Sequence, residues 1–347
     1  MNATEEKLTL READLLSAAQ GGSENAFRDL VEPRRPELHA HCYRMLGSVH
    51  DAEDALQETL LRAWKGLPRF EGRSSFRSWM YRIATNTSLN AIEKRPKRVL
   101  PIDYGPAADP HSEFNEPVTE SVWIEPYPDE SLGLEDGRSG PDARYEQRES
   151  VELAFVAALQ HLPANQRAAL ILRDVLDFSA KEVAESLDTT TASVNSALQR
   201  ARETVENRIP EQSQQETLRV LGDQRLSEIV EAYSEALESG DAETVLSLLT
   251  EDATWAMPPT PSWFTGRDNL IGFLHNGPFT VEWRHIPAHA NGQIAVGCYS
   301  RTEDGAPFRA HVLDVLTLSE SGHVAAVTAF IDSTIFDSFG LPDQLPA

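Results

Sequence analysis

Between Arg73 and Arg98 seven basic side chains stand with a single acid, Glu93, and the aromatics Phe76, Trp79 and Tyr81 lie among them. Cations hold phosphates, and a protein that captures an unstacked base also needs a flat surface to receive it. Arg73, Arg77, Arg82, Asn86, Lys94 and Arg95 are therefore candidates for touching nucleic acid. A second set lies further on. Thr191, Ser193, Asn195, Ser196, Gln199, Arg200 and Arg202 face away from an inward row of Val194, Ala197, Leu198, Ala201 and Val205. Asn, Gln and Arg match base edges in a major groove, and Ser and Thr suit phosphates near a helix N-terminus. A third set, Asp54, Gln57, Glu58 and Arg62, opposes the stripe Ala52, Ala55, Leu56, Leu60, Ala63 and Trp64. Such a face suits docking on another protein's helices, or plain solvation.

Helical spacing positions these sets. Residues ~10–95 read as helices. Over Ser75–Ile92 the stripe Phe76, Trp79, Met80, Ile83, Ala84 is apolar, which assigns Phe76 and Trp79 to a core and leaves Arg82 and Asn86 on another face. Helix returns at ~149–209, beginning with the stripe Val151, Ala154, Phe155, Ala158, Leu159 and Leu162. Ser179 with Glu182 three residues on is a capping-box pattern that starts SAKEVAESL. The polar turn Asp188-Thr189-Thr190 joins it to the helix of the second set, the outline of a helix-turn-helix. Between these regions, residues 96–148 are acidic and punctuated by proline, and read as a linker without its own core. Trp123 and Tyr127, two large aromatics within it, want a surface to bury against.

Residues 223–340 change pattern again. A helix with Leu226, Ile229, Val230, Tyr233 and Leu237 inward and a shorter helix at Asp241–Leu249 precede five strand candidates. These are Ala253–Met257, Val281–His285, Gln293–Arg301, Phe308–Leu318 and Val324–Asp332, the last two joined by SESG, a hairpin turn. The expectation is two all-α domains followed by an α+β domain with a curved antiparallel sheet. Trp255, Trp263, Trp283, His285 and Asp314 could line a ligand pocket there. Asp314 sits within an apolar strand, between Val312 and Leu316.

Charge is unevenly spread along a chain of 347 residues with net charge −24. Residues 1–100 carry +2, residues 101–150 carry −10, residues 151–210 carry −2 and residues 211–347 carry −14. The N-terminal helices can face phosphates while the linker and tail repel them. Cys42 and Cys298 stand far apart, so neither a disulfide framework nor a zinc quartet is expected, and a reducing cytoplasm is. His39-Ala40-His41-Cys42 resembles a metal cluster, but on a helix these residues point in different directions; no metal or cofactor is expected. The sequence shows neither a signal peptide nor an apolar run long enough to span a bilayer.

DAEDALQETLLRAWKGLPRFEGRSSFRSWMYRIATNTSLNAIEKRPKR resembles region two of the extracytoplasmic-function sigma factors of RNA polymerase, and LPANQRAALILRDVLDFSAKEVAESLDTTTASVNSALQRAR resembles their region four. The C-terminal third resembles a SnoaL-like domain, a cone-shaped fold in which some enzymes use an Asp or His for proton transfer. The resemblance implies sigma region 2 at 10–95, a linker at 96–148, sigma region 4 at 149–209 and a SnoaL-like regulatory domain at 223–340. It also implies that the Asp54 face binds core RNA polymerase, that the Arg73–Arg95 set contacts the minus-ten element and that the Thr191–Arg202 set contacts the minus-thirty-five element. An anti-sigma protein or a small ligand could act on the tail, which is expected to modulate activity in cis. Two other readings fit parts of the chain: a SnoaL-type cyclase or hydrolase with a targeting module, and a helix-turn-helix repressor with a ligand-sensing tail. Neither accounts for the region-two segment.

Overall fold

The computed structural model describes residues 3–110, 116–118, 122–133 and 141–347. In chain order the helices are α1 (Ala3–Gln20), α2 (Glu24–Val31), α3 (Arg35–Leu46), α4 (Val49–Gly66), α5 (Phe76–Ile92), α6 (Pro101–Tyr104), α7 (Pro141–Glu149), α8 (Leu153–Gln160), α9 (Ala164–Leu170), α10 (Ala180–Ser186), α11 (Thr191–Glu206), α12 (Gln214–Ser239), α13 (Ala242–Leu248) and α14 (Arg267–Asn276). The strands are β1 (Leu249–Ala256), β2 (Trp263–Thr265), β3 (Glu282–Ala290), β4 (Gln293–Arg301), β5 (Phe308–Leu318), β6 (Val324–Phe330) and β7 (Gln344–Leu345). The chain divides into two compact units.

The helical unit comprises Met1–Arg95, Ser131–Gly133 and Leu159–Thr204. Side-chain caps start its helices: Ser48 accepts from the Asp51 amide at α4, and Ser75 from the Ser78 amide at α5. The expected box at α10 is closed in both directions between Ser179 and Glu182. Phe76 is buried and, with Phe70 and Trp79, forms an aromatic cluster with ring centroids 4.9–6.2 Å apart. His39, His41 and Cys42 are buried in α3. His41 Nε2 lies 2.9 Å from Thr85 Oγ1, and burial pushes its pKa down to about 3.

The other unit comprises Pro96–Glu130, Leu134–Ala158 and Val205–Ala347. Its sheet runs β2-β1-β6-β5-β4-β3, with β7 paired to β5. β3 to β6 pair antiparallel as expected, but β1 runs parallel to β6, so the sheet is mixed. The reason is connectivity: β1 enters from α13 and lies beside β6, a strand far along the chain that no hairpin joins to it. β2, β7 and α14 escaped the sequence reading because they are short or weakly periodic. α12 is interrupted at Gly222, whose φ of 74° and ψ of 159° are outside helical space.

The stretch read as a linker is only partly irregular. Its last residues form α7, and residues 111–115, 119–121 and 134–140 lie outside the described residues. Val122, Trp123, Ile124 and Tyr127 are buried. Val99 N donates to Val122 O (2.8 Å), and Ile124 N donates to Val99 O (3.2 Å). The two-residue turn Asn291-Gly292 between β3 and β4, with φ of 57° and 68°, receives the linker. Tyr127 N donates to Asn291 Oδ1 and Asn291 N to Tyr127 O, both at 2.8 Å, and Gly292 N donates to Asp129 Oδ1 at 2.7 Å. The same turn holds the start of α8: Asn291 Nδ2 donates to Val151 O (2.7 Å), and Leu153 N donates to Gln293 Oε1 (3.0 Å). The two linker aromatics thus have the buried surface their composition called for.

Candidate nucleic-acid interfaces and a cavity in the C-terminal sheet

On α4, Asp54, Gln57 and Arg62 are exposed and Glu58 is half-buried, all on one face. Gln57 Nε2 donates to Glu53 Oε1 (3.1 Å) and Arg62 Nε to Glu58 Oε1 (2.6 Å). The face also carries Leu61, 53% exposed. The sequence reading missed it, although its place three residues after Glu58 was the available signal. A large apolar side chain kept in water amid charged neighbours has the character of a docking anchor.

The residues of the basic stretch have separate fates. Arg82, Asn86 and Lys94 are exposed on and just after α5. Arg73 is exposed and pairs with Glu71 at 3.1 Å. Arg95 pairs with Asp51 at the start of α4. Arg77 is turned inward: its guanidinium lies 5.1 Å from the Tyr81 ring centroid and 4.6 Å from that of Phe178, and it donates to Leu176 O (3.3 Å). Arg98, counted with the stretch on charge alone, is buried and donates to Trp123 O at 2.6 Å. A basic run read only as charge hides such structural uses.

α11 presents Thr191, Ser193, Asn195, Ser196, Gln199 and Arg200 as an exposed face, over buried Val194, Leu198 and Ala201. Ser193 N bonds Thr190 Oγ1 (3.2 Å), which caps the helix. Arg202 instead forms a two-pronged pair with Asp174, at 2.8 and 2.6 Å. That pair ties α11 to the turn after α9 and takes Arg202 off the reading face.

Within this unit the α5 and α10 segments touch. Ser78 Oγ donates to Glu182 Oε1 (2.9 Å), the capping-box acid, and the Tyr81 and Phe178 rings stand 5.3 Å apart, edge to face. Arg167 on α9, 5% exposed, donates to Met45 O and Gln160 Oε1, and to Gln160 O (3.2 Å) and Leu162 O (3.3 Å).

In the C-terminal unit, alternation along the strands turns Trp283 and His285 of β3, Cys298 of β4, Val312 and Asp314 of β5 and Ala329 of β6 toward α12. With Trp255 and Phe273 they line a cavity of about 60 Å3. Of the five pocket residues expected, Trp255, Trp283, His285 and Asp314 reach it. Trp263, on β2, instead donates its indole N–H to Gly105 O at 2.8 Å. Asp314 is 3% exposed; Tyr233 Oη donates to its Oδ2 at 2.8 Å and Cys298 Sγ at 3.4 Å. Burial raises its pKa to about 6 against those two bonds. His285 Nδ1 lies 3.2 Å from Glu238 Oε1, and burial pulls this imidazole down.

A second buried carboxylate, Glu152, accepts from the backbone amides of Gln214 (3.0 Å) and Gln215 (2.8 Å) at the start of α12. Burial raises its pKa to about 7. Both acids bind protons more tightly folded than unfolded, so stability falls as pH rises through about 6 and about 7. His285 and His311, held below the histidine value of 6.5 by burial, oppose the two acids over the same range, because the unfolded imidazoles already take up protons as pH nears 6.5. The acids' own share of the stability change between pH 8 and pH 6.5 is about 1 kcal/mol, and Glu152→Gln should remove most of it. Calorimetric scans of the two proteins across that range check it; the same dependence of Tm on pH in both would contradict the assignment.

Comparison with known proteins finds matches to three stretches of the chain. The Sigma-70 region 2 family model matches residues 30–98, the Sigma-70 region 4 model residues 152–205, and the SnoaL-like domain model residues 230–327. The ECF RNA polymerase sigma factor SigG of Mycobacterium tuberculosis is 45% identical over 332 residues, covering 92% of this chain and 85% of that protein. SigW of Bacillus subtilis, another ECF sigma factor, is 28% identical over 54% of this chain and 91% of its own length. Among solved structures, the crystal structure of the Mycobacterium tuberculosis extracytoplasmic function sigma factor SigJ covers 89% of this chain and 97% of its own, with a TM-score of 0.56 and 23% identity; that likeness is one of fold. Among the described residues no helix is long and apolar enough to cross a membrane. With both sigma regions in order and near-full-length identity to SigG, this chain belongs to the ECF RNA polymerase sigma factors and carries a SnoaL-like domain after its second sigma region.

Proposed function

We propose that the exposed face of α4, with Leu61 at its centre, docks on core RNA polymerase, that α5 and the loop before it take the minus-ten element through Arg73, Arg82, Asn86 and Lys94, and that α11 reads the minus-thirty-five element in the major groove. The observation that carries this reading is the exposed face of α11, where Asn195, Ser196, Gln199 and Arg200 stand over a buried apolar row behind a closed capping box. The C-terminal domain is read as a modulator in cis, not as an enzyme, because its β3–β4 turn grips both the linker and the first turn of α8.

The two DNA elements differ by about 25 base pairs in position, roughly 85 Å of B-form helix. Helices α5 and α10, joined through Ser78 and Glu182, cannot serve both at once. The two sigma regions therefore part on the promoter, breaking the Arg77–Phe178 and Ser78–Glu182 contacts.

Transcription in vitro with core polymerase and a genomic promoter library tests the reading. Leu61→Asp should weaken core binding at least tenfold in a pull-down and leave the circular dichroism unchanged, since the side chain is in water. Gln199→Ala or Arg200→Ala should cost about 1–3 kcal/mol for each lost base contact and relax preference at one upstream position. If all three variants transcribe the same promoters at the native rate, neither α4 nor α11 has the role given to it.

A further inference from the structure

Ser78, Arg82 and Asn86 stand four residues apart on α5 and so share one of its faces. Arg82 and Asn86 are exposed, yet Ser78 is only 7% exposed, because the start of α10 lies over it. Ser78 Oγ donates to Glu182 Oε1 at 2.9 Å, and Ser75 Oγ stands 2.8 Å from Ser78 Oγ. Beside them the Phe178 ring and Leu176 O hold Arg77, also of α5. Glu182 has a local duty as well: its Oε2 accepts from Ser179 N (2.9 Å) and Ser179 Oγ (2.8 Å) in the capping box. Glutamine fills that duty as glutamate does, so capping does not call for the charge. The bonds from Ser179, and after them Ser78 and Arg77, hold the carboxyl below its usual range, and it is ionised at neutral pH.

We propose, on the placement of the minus-ten element along α5, that Glu182 is a built-in competitor of promoter DNA: its carboxylate covers the Ser78 end of the α5 face in the free protein, and a DNA phosphate that displaces it takes over Ser78 and the released Arg77. A carboxylate and a phosphate present acceptor oxygens of the same charge, so both cannot sit against one row of hydroxyls. The closed arrangement thus excludes DNA by charge as well as by bulk. Arg77, held by two ring faces and one backbone carbonyl, loses Phe178 and Leu176 O when the regions part and becomes a further cation for the DNA backbone. Parting and DNA binding are then coupled in both directions. The affinity of the free protein for DNA is lowered by the fraction of molecules that remain closed, and DNA in turn draws the regions apart.

Glu182→Gln in the full-length protein keeps the capping box and removes the charge. Without polymerase, this variant should bind a short mixed-sequence single strand of DNA, labelled with fluorescein and followed by anisotropy, about fivefold more tightly than the unaltered protein. Phe178→Ala, which frees Arg77 and leaves the carboxylate in place, should act in the same direction. Arg82→Ala added to Glu182→Gln should remove the gain, because the uncovered face is that of α5. Nitroxide labels on the exposed positions Asn90→Cys and Lys181→Cys report closure without DNA, since Cys42 and Cys298 are buried. The unaltered protein should give one short distance, and Glu182→Gln a second, longer one. Equal DNA affinity in the two proteins, with Arg82→Ala of the unaltered protein still weakening binding, overturns the proposal and leaves Glu182 a mere clasp. If Arg82→Ala also binds as before, the minus-ten placement on α5 falls first and the proposal with it.

Discussion

Ending the chain after residue 210 should lower promoter-directed transcription at least tenfold, although both sigma regions remain in the sequence. The cut removes the Asn291-Gly292 turn and Gln293, and with them every bond by which the β-sheet holds Tyr127, Asp129, Val151 and Leu153. Tyr127 and Val151, now buried, lose the turn that holds them. Each such side chain contributes roughly 1.5–3 kcal/mol when buried, so the linker and the first turn of α8 lose several kcal/mol of order. A cut after residue 290 is no milder, because it removes β4, β5 and β6, the middle of the sheet. A cut after residue 335 differs in kind. It removes Phe336, whose ring packs edge to face on Tyr299 at 5.3 Å, together with β7 at the β5 edge, and it leaves the linker clamp whole. That variant should keep the linker in place on a loosened domain and transcribe at or above the native rate. Run-off transcription by the three truncations, with circular dichroism as the folding check, decides the matter. Equal activity across the series would make the tail a passenger.

Arg167→Ala should destabilise the helical unit by about 3–5 kcal/mol, a large share of the ~5–15 kcal/mol that such a unit has. Its guanidinium serves Met45 O on α3 and the carbonyls of Gln160 and Leu162 where α8 ends. Removal of the side chain leaves three carbonyls unmet at a site 5% exposed. Burial lowers this guanidinium only to about 10, so it remains charged at neutral pH and its bonds are charge-assisted. Arg167→Lys should rescue little, because an ammonium cannot span acceptors laid out for a planar fork. Urea unfolding followed in the helical circular dichroism band measures the effect. A change under about 0.5 kcal/mol would remove Arg167 from the account.

Period and capping made much of the chain legible. The α4, α5 and α11 faces follow from apolar spacing alone, because a helix exposes whatever its stripe does not bury. The Ser179–Glu182 box fixed the start of α10, and alternation marked β4 and β5 closely, with Asp314 on their inner side. Tertiary structure decided what spacing cannot express. Charge does not say whom a guanidinium meets: Arg98 is spent on Trp123 O, Arg77 on Phe178 and Arg202 on Asp174, while Arg82 and Arg200 remain in water. Trp263 and Trp255 looked alike as pocket walls, yet in the paired strands β2 and β1 Trp263 stands opposite Ala256 and Trp255 opposite Phe264, so the two side chains leave opposite faces of the sheet and only Trp255 lines the cavity. The parallel entry of β1 beside β6, the staple at Arg167 and the gripping of the linker by Asn291 all join residues far apart in the chain. Local sequence sets which face of an element is apolar; which faces meet is set by the whole chain closing on itself, where one buried carbonyl left without a donor can outweigh any local preference.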